Sequence, residues 1–255
     1  MIIDTHVHLN PSLDGTALNA ANELSRQLRD AGVELGIVLQ LQLHAWSIEE
    51  VSNAISNFDN LRAFVNIHPN EIGALDKLEY AINDLNYIGL KLHPRLQEFN
   101  LESIECSDLV KKAGELNVPV LICGFPDGTM IMRGFSPLVY ANLAKECNNT
   151  RIIWAHMGGH YVIDFMMLAK RLPNVYMDCS YSLLYYQGSP TVKNMIYAMK
   201  SMKMNRIFYG SDYPDREIKE SLDLSCKVLR EEGITDSELH KLLYENANNF
   251  FNKSK

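Results

Sequence analysis

Eight short apolar runs rich in β-favouring residues recur along the chain, most of them separated by stretches with helical periodicity. They cover residues 2–8, 34–42, 61–68, 87–93, 118–124, 151–156, 175–180 and 206–212. Runs such as LGIVLQL, VPVLIC and RIIWAH are continuous rather than alternating, the pattern of parallel strands buried on both faces. Helical patterns at 16–31, 71–85, 107–117, 136–147 and 162–172 lie between them. Gly32, Asn117-Val118-Pro119 and Leu172-Pro173-Asn174 break these patterns just before a new run begins. Two further helices, 218–232 and 237–250, close the chain, with Thr235 or Asp236 as cap of the last. Eight strand-helix units within 255 residues predict one α/β domain over 1–255, a single (β/α)8 barrel of the TIM type. No G-x-G-x-x-G follows the first run, so an open dinucleotide-binding sheet lacks its main signal.

A hydrophobic fraction of 47% supplies the core that such a barrel needs, and 22% charged residues exclude a disordered chain. The net charge is -7 and Lys and Arg are scattered, which argues against nucleic acid and anionic membrane surfaces as partners. No apolar run approaches membrane-spanning length, and the N-terminus carries no secretory pattern; a cytoplasmic protein is expected. The five cysteines are widely spaced with no C-x-x-C pair, so disulfides are not expected. Of these, Cys123 alone stands where chemistry is expected.

Barrel enzymes place their chemistry at the C-terminal ends of the strands, and the unusual side chains of this chain fall there. The first run ends Asp4-Thr5-His6-Val7-His8, the second reaches His44, and the third ends His68-Pro69. The fourth ends Lys91-Leu92-His93-Pro94, the fifth at Cys123, the sixth at His156 and the eighth at Ser211-Asp212. Side chains alternate along a strand, so Asp4, His6 and His8 are expected on one face, as are Lys91 and His93. Two imidazoles, a carboxylate from another strand and an open position suit a divalent ion, with zinc favoured and manganese or iron as alternatives. An isolated H-x-H is more often two surface or core histidines; the strand-end His and Asp residues beside it weigh against that reading.

DTHVH on the first strand, WAHMGG on the sixth and YGSDYP on the eighth resemble the amidohydrolase superfamily. More narrowly, the chain resembles the amidohydrolase-related group that includes aminocarboxymuconate-semialdehyde decarboxylase and many metal-dependent hydrolases. The closing ENANNFF is similar to that group's N-A-x-x-x-F signature. The resemblance implies that His6, His8 and Asp212 bind a metal ion. It further implies that Asp212 takes a proton from the attacking water and that His156 contacts water or substrate, stabilising a developing oxyanion. Relatives commonly carry a ligating histidine where this chain has Cys123, so Cys123 is either a thiolate ligand or a small packing residue. Lys91 occupies the position of a carboxylated lysine in some relatives; a plain ammonium holding a substrate carboxylate is the preferred reading.

His93 and Arg133 are further candidates for substrate binding, His93 at the rim or as a turn residue, Arg133 as a partner for a carboxylate. Tyr181, Tyr185 and Tyr186 suit either substrate selection or the interface of a homo-oligomer. The leading expectation is metal-dependent hydrolysis of a small amide, ester or lactone. Its alternatives are non-oxidative decarboxylation of a small carboxylic acid and a metal-poor barrel that binds a ligand without turnover.

Overall fold

A computed structural model describes residues 1–13 and 15–252. Eight parallel strands follow one another around a sheet in sequence order: β1 (Ile3–Val7), β2 (Leu35–Leu39), β3 (Leu61–Asn66) and β4 (Gly89–Leu92), then β5 (Val120–Cys123), β6 (Ile152–Ala155), β7 (Val175–Asp178) and β8 (Ile207–Phe208). The seam between β8 and β1 is bridged by backbone hydrogen bonds. Thr5 N–H donates to the Tyr209 carbonyl at 3.0 Å, Asp212 N–H to His6 at 2.8 Å and His8 N–H to Tyr213 at 2.8 Å. The expected (β/α)8 barrel is therefore the fold. Among the described residues no helix is long and apolar enough to cross a membrane.

A major helix follows every strand, including two that the sequence reading leaves out: Ile48–Ile55 and Pro190–Ser201. The first is only two turns long, and what marks it is its start, where Ser47 and Glu50 cap each other's backbone N–H groups. The second begins with Ser189 as cap and Pro190 in its first turn, where the missing N–H costs nothing. Thr235 caps the segment that begins at Asp236, again through a reciprocal pair with Glu238.

Apolar side chains form two layers, one between strands and helices and one inside the barrel. The inner layer holds Ile37, Phe64, Leu121, Ile153 and Phe208, with Ala247 and Phe250 of the last helix closing the end opposite the site. The ENANNFF segment explains itself here. Asn246 donates its side-chain amide to the Met204 and Ile207 carbonyls at 2.6 and 2.8 Å, while the Phe250 ring lies 5.1 Å from that of Phe208.

One irregularity matters for the site. Asp4 pairs with Gly36 but Val7 with Val38, so three steps of β1 oppose two of β2. The bulge lets Ile3 join the inner layer while Val7 joins the outer one, which leaves His6 and His8 facing the barrel interior. Strict alternation put Asp4 beside them; instead its Oδ1 accepts the backbone N–H groups of Ser211 and His6, at 3.0 and 3.1 Å, and ties β8 to β1.

Truncating the plug tests this architecture. Phe250→Ala is expected to lower unfolding free energy by roughly 3–5 kcal/mol, as for other buried aromatics. Urea denaturation measures it, and a loss below about 1 kcal/mol would contradict the burial assigned to this ring.

Candidate functional site

A cavity of about 370 Å³ opens at the C-terminal ends of the strands, at the lower end of the range for small-molecule sites. His6, His8, Lys91, His93, His156 and Asp212 line it together with Arg95, Phe125, Asp127, Tyr181 and Tyr185. The strand-end rule thus brings six of the expected residues to one place. Arg133 lies outside: half-exposed, it pairs with Glu98 at 2.8 Å above a neighbouring groove. Cys123 is buried on β5, near enough for the Lys91 ammonium to influence its thiol, but it belongs to neither cluster of ligand atoms described below. Burial pushes that thiol's pKa up.

The Oδ1 atom of Asp212 lies 3.0 Å from His6 Nε2 and 3.5 Å from His8 Nε2. The three ligand atoms fall within 4.8 Å of one another. Their other contacts decide whether they suit a cation. His8 Nδ1 is 2.6 Å from the Leu39 carbonyl and His6 Nδ1 is 3.0 Å from Asp178 Oδ2. Both partners only accept, so each Nδ1 carries a hydrogen, and Nε2 is the nitrogen of each ring left to face Asp212, where a cation can take the place of a proton shared with that carboxylate. Two lone pairs and a carboxylate oxygen converging on one point fit a divalent metal ion, with the second hydrogen bond of each imidazole fixing its orientation.

Electrostatics agree with the geometry. At His6 burial opposes charge, but the carboxylates of Asp178 and Asp212 outweigh it and raise the pKa. Burial lowers that of His8 and brings His156 down to about 4. Burial would push the carboxyl groups of Asp212 and Asp178 up, yet His6 and the hydrogen bonds around it hold both below the usual range. Lys91 is 1% exposed, and among the described residues no hydrogen bond or ion pair engages its ammonium. Burial lowers its pKa. Arg95 pairs with Asp127 at 3.2 Å through Nη1, whereas its buried Nε finds no partner among the described residues. His93 Nδ1 accepts the backbone N–H of Leu96 at 3.3 Å, which leaves an Nε2–H for the cavity that this residue lines.

Four participants escape the sequence reading: Asp178, Ser180, Phe125 and Asp127. Asp178 has a signal, because a carboxylate inside the apolar run VYMDC must find a partner when buried. Phe125 has none; it gains its place by edge contacts with His156, Tyr181 and Tyr185, at ring distances of 5.9, 5.0 and 5.3 Å. His68 and His160 stay out of the cavity. His68 uses both ring nitrogens on the backbone of Gln97 and Asn70, as a turn residue would.

The fold and this strand-end cluster define a (β/α)8-barrel protein with a His-His-Asp centre. The family model described as Amidohydrolase matches residues 3–253, and the chain belongs to that family. Among solved structures, a probable 2-pyrone-4,6-dicarboxylic acid hydrolase from Acinetobacter baumannii, with citric acid bound, is 16% identical at a TM-score of 0.71, covering 98% of this chain and 99% of its own. An uncharacterized TIM-barrel protein from Bordetella bronchiseptica is 17% identical at a TM-score of 0.80, covering 99% of each chain. A 5-carboxyvanillate decarboxylase from Novosphingobium aromaticivorans, complexed with manganese and 4-hydroxy-3-methoxy-5-nitrobenzoic acid, is 11% identical at 0.68, covering 99% and 96%. At these identities the likeness concerns the fold. No curated protein matches the chain.

Protein purified without added metal is expected to carry about one equivalent of a divalent transition metal, since three ligands converge on one point. His6→Ala should lose it. Elemental analysis reads the outcome, and full occupancy in the variant would remove His6 from the ligand set.

Proposed function

We propose that the chain is a metal-dependent hydrolase of a small amide, ester or lactone that carries a carboxylate. The observation that carries this reading is the pairing, within one small cavity, of the His6, His8 and Asp212 cluster with two incompletely partnered cations, Lys91 and Arg95. Zinc is the proposed ion, since two imidazoles and one carboxylate suit it; manganese and iron suit the same donors. Bound there, such an ion supplies Lewis acidity, lowering the pKa of water and polarising a carbonyl.

The protein's own groups have separable tasks. Asp212 is held ionised by His6 and opens on the cavity, so it can accept the proton of an attacking water and return it to the leaving group. The His93 Nε2–H and the Lys91 ammonium are donors for a developing oxyanion or for a substrate carboxylate. Arg95, whose Nε has no partner among the described residues, is the second carboxylate anchor. Phe125, Tyr181 and Tyr185 form an aromatic wall that excludes water from one side. Cys123 fits better as a packing residue beside Lys91 than as a ligand, because it is buried on β5 and belongs to neither group of converging ligand atoms.

The same two cations support a second reading, non-oxidative decarboxylation, whose substrates always bear an acid. A hydrolase and a decarboxylase both occur among the structural neighbours, so proton bookkeeping has to separate the reactions. Small lactones, esters, amides and unsaturated acids should be screened while acid release and carbon dioxide are recorded together. Hydrolytic product is expected, with Asp212→Asn slowing kcat by about two to four orders of magnitude as for a lost general base. Carbon dioxide evolution that depends on Asp212, with no hydrolytic product, would replace the proposal by the second reading.

A further inference from the structure

The end of β7 and the residues after it, Asp178-Cys179-Ser180, meet two histidines of the cavity at once. Asp178 is fully buried, and its carboxylate is saturated with donors. Oδ2 faces His6 Nδ1 at 3.0 Å; Oδ1 accepts the backbone N–H of His156 at 3.1 Å and that of Ser180 at 3.0 Å, together with the Ser180 hydroxyl. The Ser180 carbonyl in turn lies 3.0 Å from His156 Nδ1. Carboxylate and carbonyl can only accept, so the hydrogen sits on Nδ1 in both rings. Ser180 Oγ, 3.0 Å from each Nδ1, has already given its own hydrogen to Asp178 and serves both rings as an acceptor.

His6, His156 and Asp178 therefore come close enough to resemble a second cation cluster. The Nδ1 hydrogens of both rings point into it. It is a hydrogen-bond network whose Nδ1 atoms have no lone pair to offer an ion.

We propose that Asp178, with Ser180, is the positioning residue that fixes the Nδ1–H form of both His6 and His156. This rests on the proposed reading of His6 as a ligand, and it extends that reading to a residue on another strand. For His6 the result is that Nε2, 3.0 Å from Asp212 Oδ1, is the nitrogen at which a metal ion can replace a proton while Nδ1–H stays on Asp178. For His156 the hydrogen bonds at Nδ1 leave the lone pair on Nε2. With Nδ1–H given to Ser180, His156 can only accept a hydrogen bond on its cavity side, the partner for a water or a substrate hydroxyl. The oxyanion-stabilising role expected for it from the sequence passes to His93 and Lys91.

The test uses the full chain, ¹⁵N-labelled at histidine, stripped of metal and held at a pH where the rings are neutral. Nitrogen NMR, assigned with His156→Gln, is expected to show His6 and His156 of the wild type as Nδ1–H. In Asp178→Asn the amide can donate as well as accept, so His6 should become a tautomer mixture. Zn²⁺ affinity, measured by competition with a chelator, should fall about 10–100-fold, as for other lost partners of ligating histidines. Asp178→Glu should recover part of it. An Asp178→Asn protein with unchanged tautomers and Zn²⁺ affinity within twofold of wild type would overturn the proposal. If that variant does not fold, the wild-type spectrum decides, because an Nε2–H form of either ring overturns it equally. Wild-type protein that shows the expected tautomers yet binds no Zn²⁺ would sink the proposed function and leave the positioning role of Asp178 standing.

Discussion

The seam between β8 and β1 carries both the fold and the candidate chemistry. Closing a sheet into a barrel requires its last strand to hydrogen-bond to its first, and here that contact runs through residues 5–8 and 209–213. The hydrogen bond from Asp212 N–H to the His6 carbonyl is one of the closing bonds, and it sets the Asp212 carboxylate against the rings of His6 and His8. The candidate ligand cluster is thus held by the seam itself, although His8 and Asp212 lie just past the strand ends. It sits on backbone tied down by the seam's hydrogen bonds, which suits a site that needs precise placement. Asp4 strengthens the same seam from behind with two backbone hydrogen bonds; burial raises its pKa to about 6 against the lowering effect of those bonds.

The rim departs from relaxed backbone where the cavity residues turn inward. His156, Met157, Tyr181 and Asp212 all have positive φ, a region that costs a non-glycine residue roughly 1–3 kcal/mol. Three of these four line the cavity. Packing holds the conformation in place: after His156 come Gly158 and Gly159, also at positive φ, where an added Cβ would meet the Phe165 ring at 2.3 Å and Pro126 at 2.6 Å. The WAHMGG segment is therefore a tight turn that only glycine can complete, and its purpose is to bring the His156 ring back over Ser180.

What was legible in the sequence is whatever depends on one strand at a time. Continuous apolar runs revealed all eight strands, and polar residues at their ends revealed His6, His8, Lys91, His93, His156 and Asp212 as neighbours in one cavity. The strands themselves are shorter than the runs, β8 having only two residues, because the rim residues leave extended geometry to aim their side chains. What stayed hidden depends on relations between elements. The β1 bulge, which separates Asp4 from His6 and His8, is a matter of register with β2. Arg133 has the charge to hold a carboxylate, but its position in the chain carries it to Glu98 instead. Asp178 stood in plain view within an apolar run; its importance came from a histidine 172 positions earlier.

Charge balance adds a last constraint on what the cavity accepts. Asp178 and Asp212 flank His6 on its two ring nitrogens and both stay ionised, while the one imidazole between them has its pKa raised and can offset one negative charge. His8 and His156 cannot supply the second, since burial holds both towards the neutral form. A divalent ion taking the place of the hydrogen between His6 Nε2 and Asp212 would leave the Nδ1 hydrogen bond to Asp178 untouched and balance both carboxylates. A monovalent ion would gain nothing over the proton it displaced. With those carboxylates balanced and Arg95 paired with Asp127, Lys91 becomes the uncompensated charge of the cavity, so the same donor set that favours a dication favours an anionic substrate beside it.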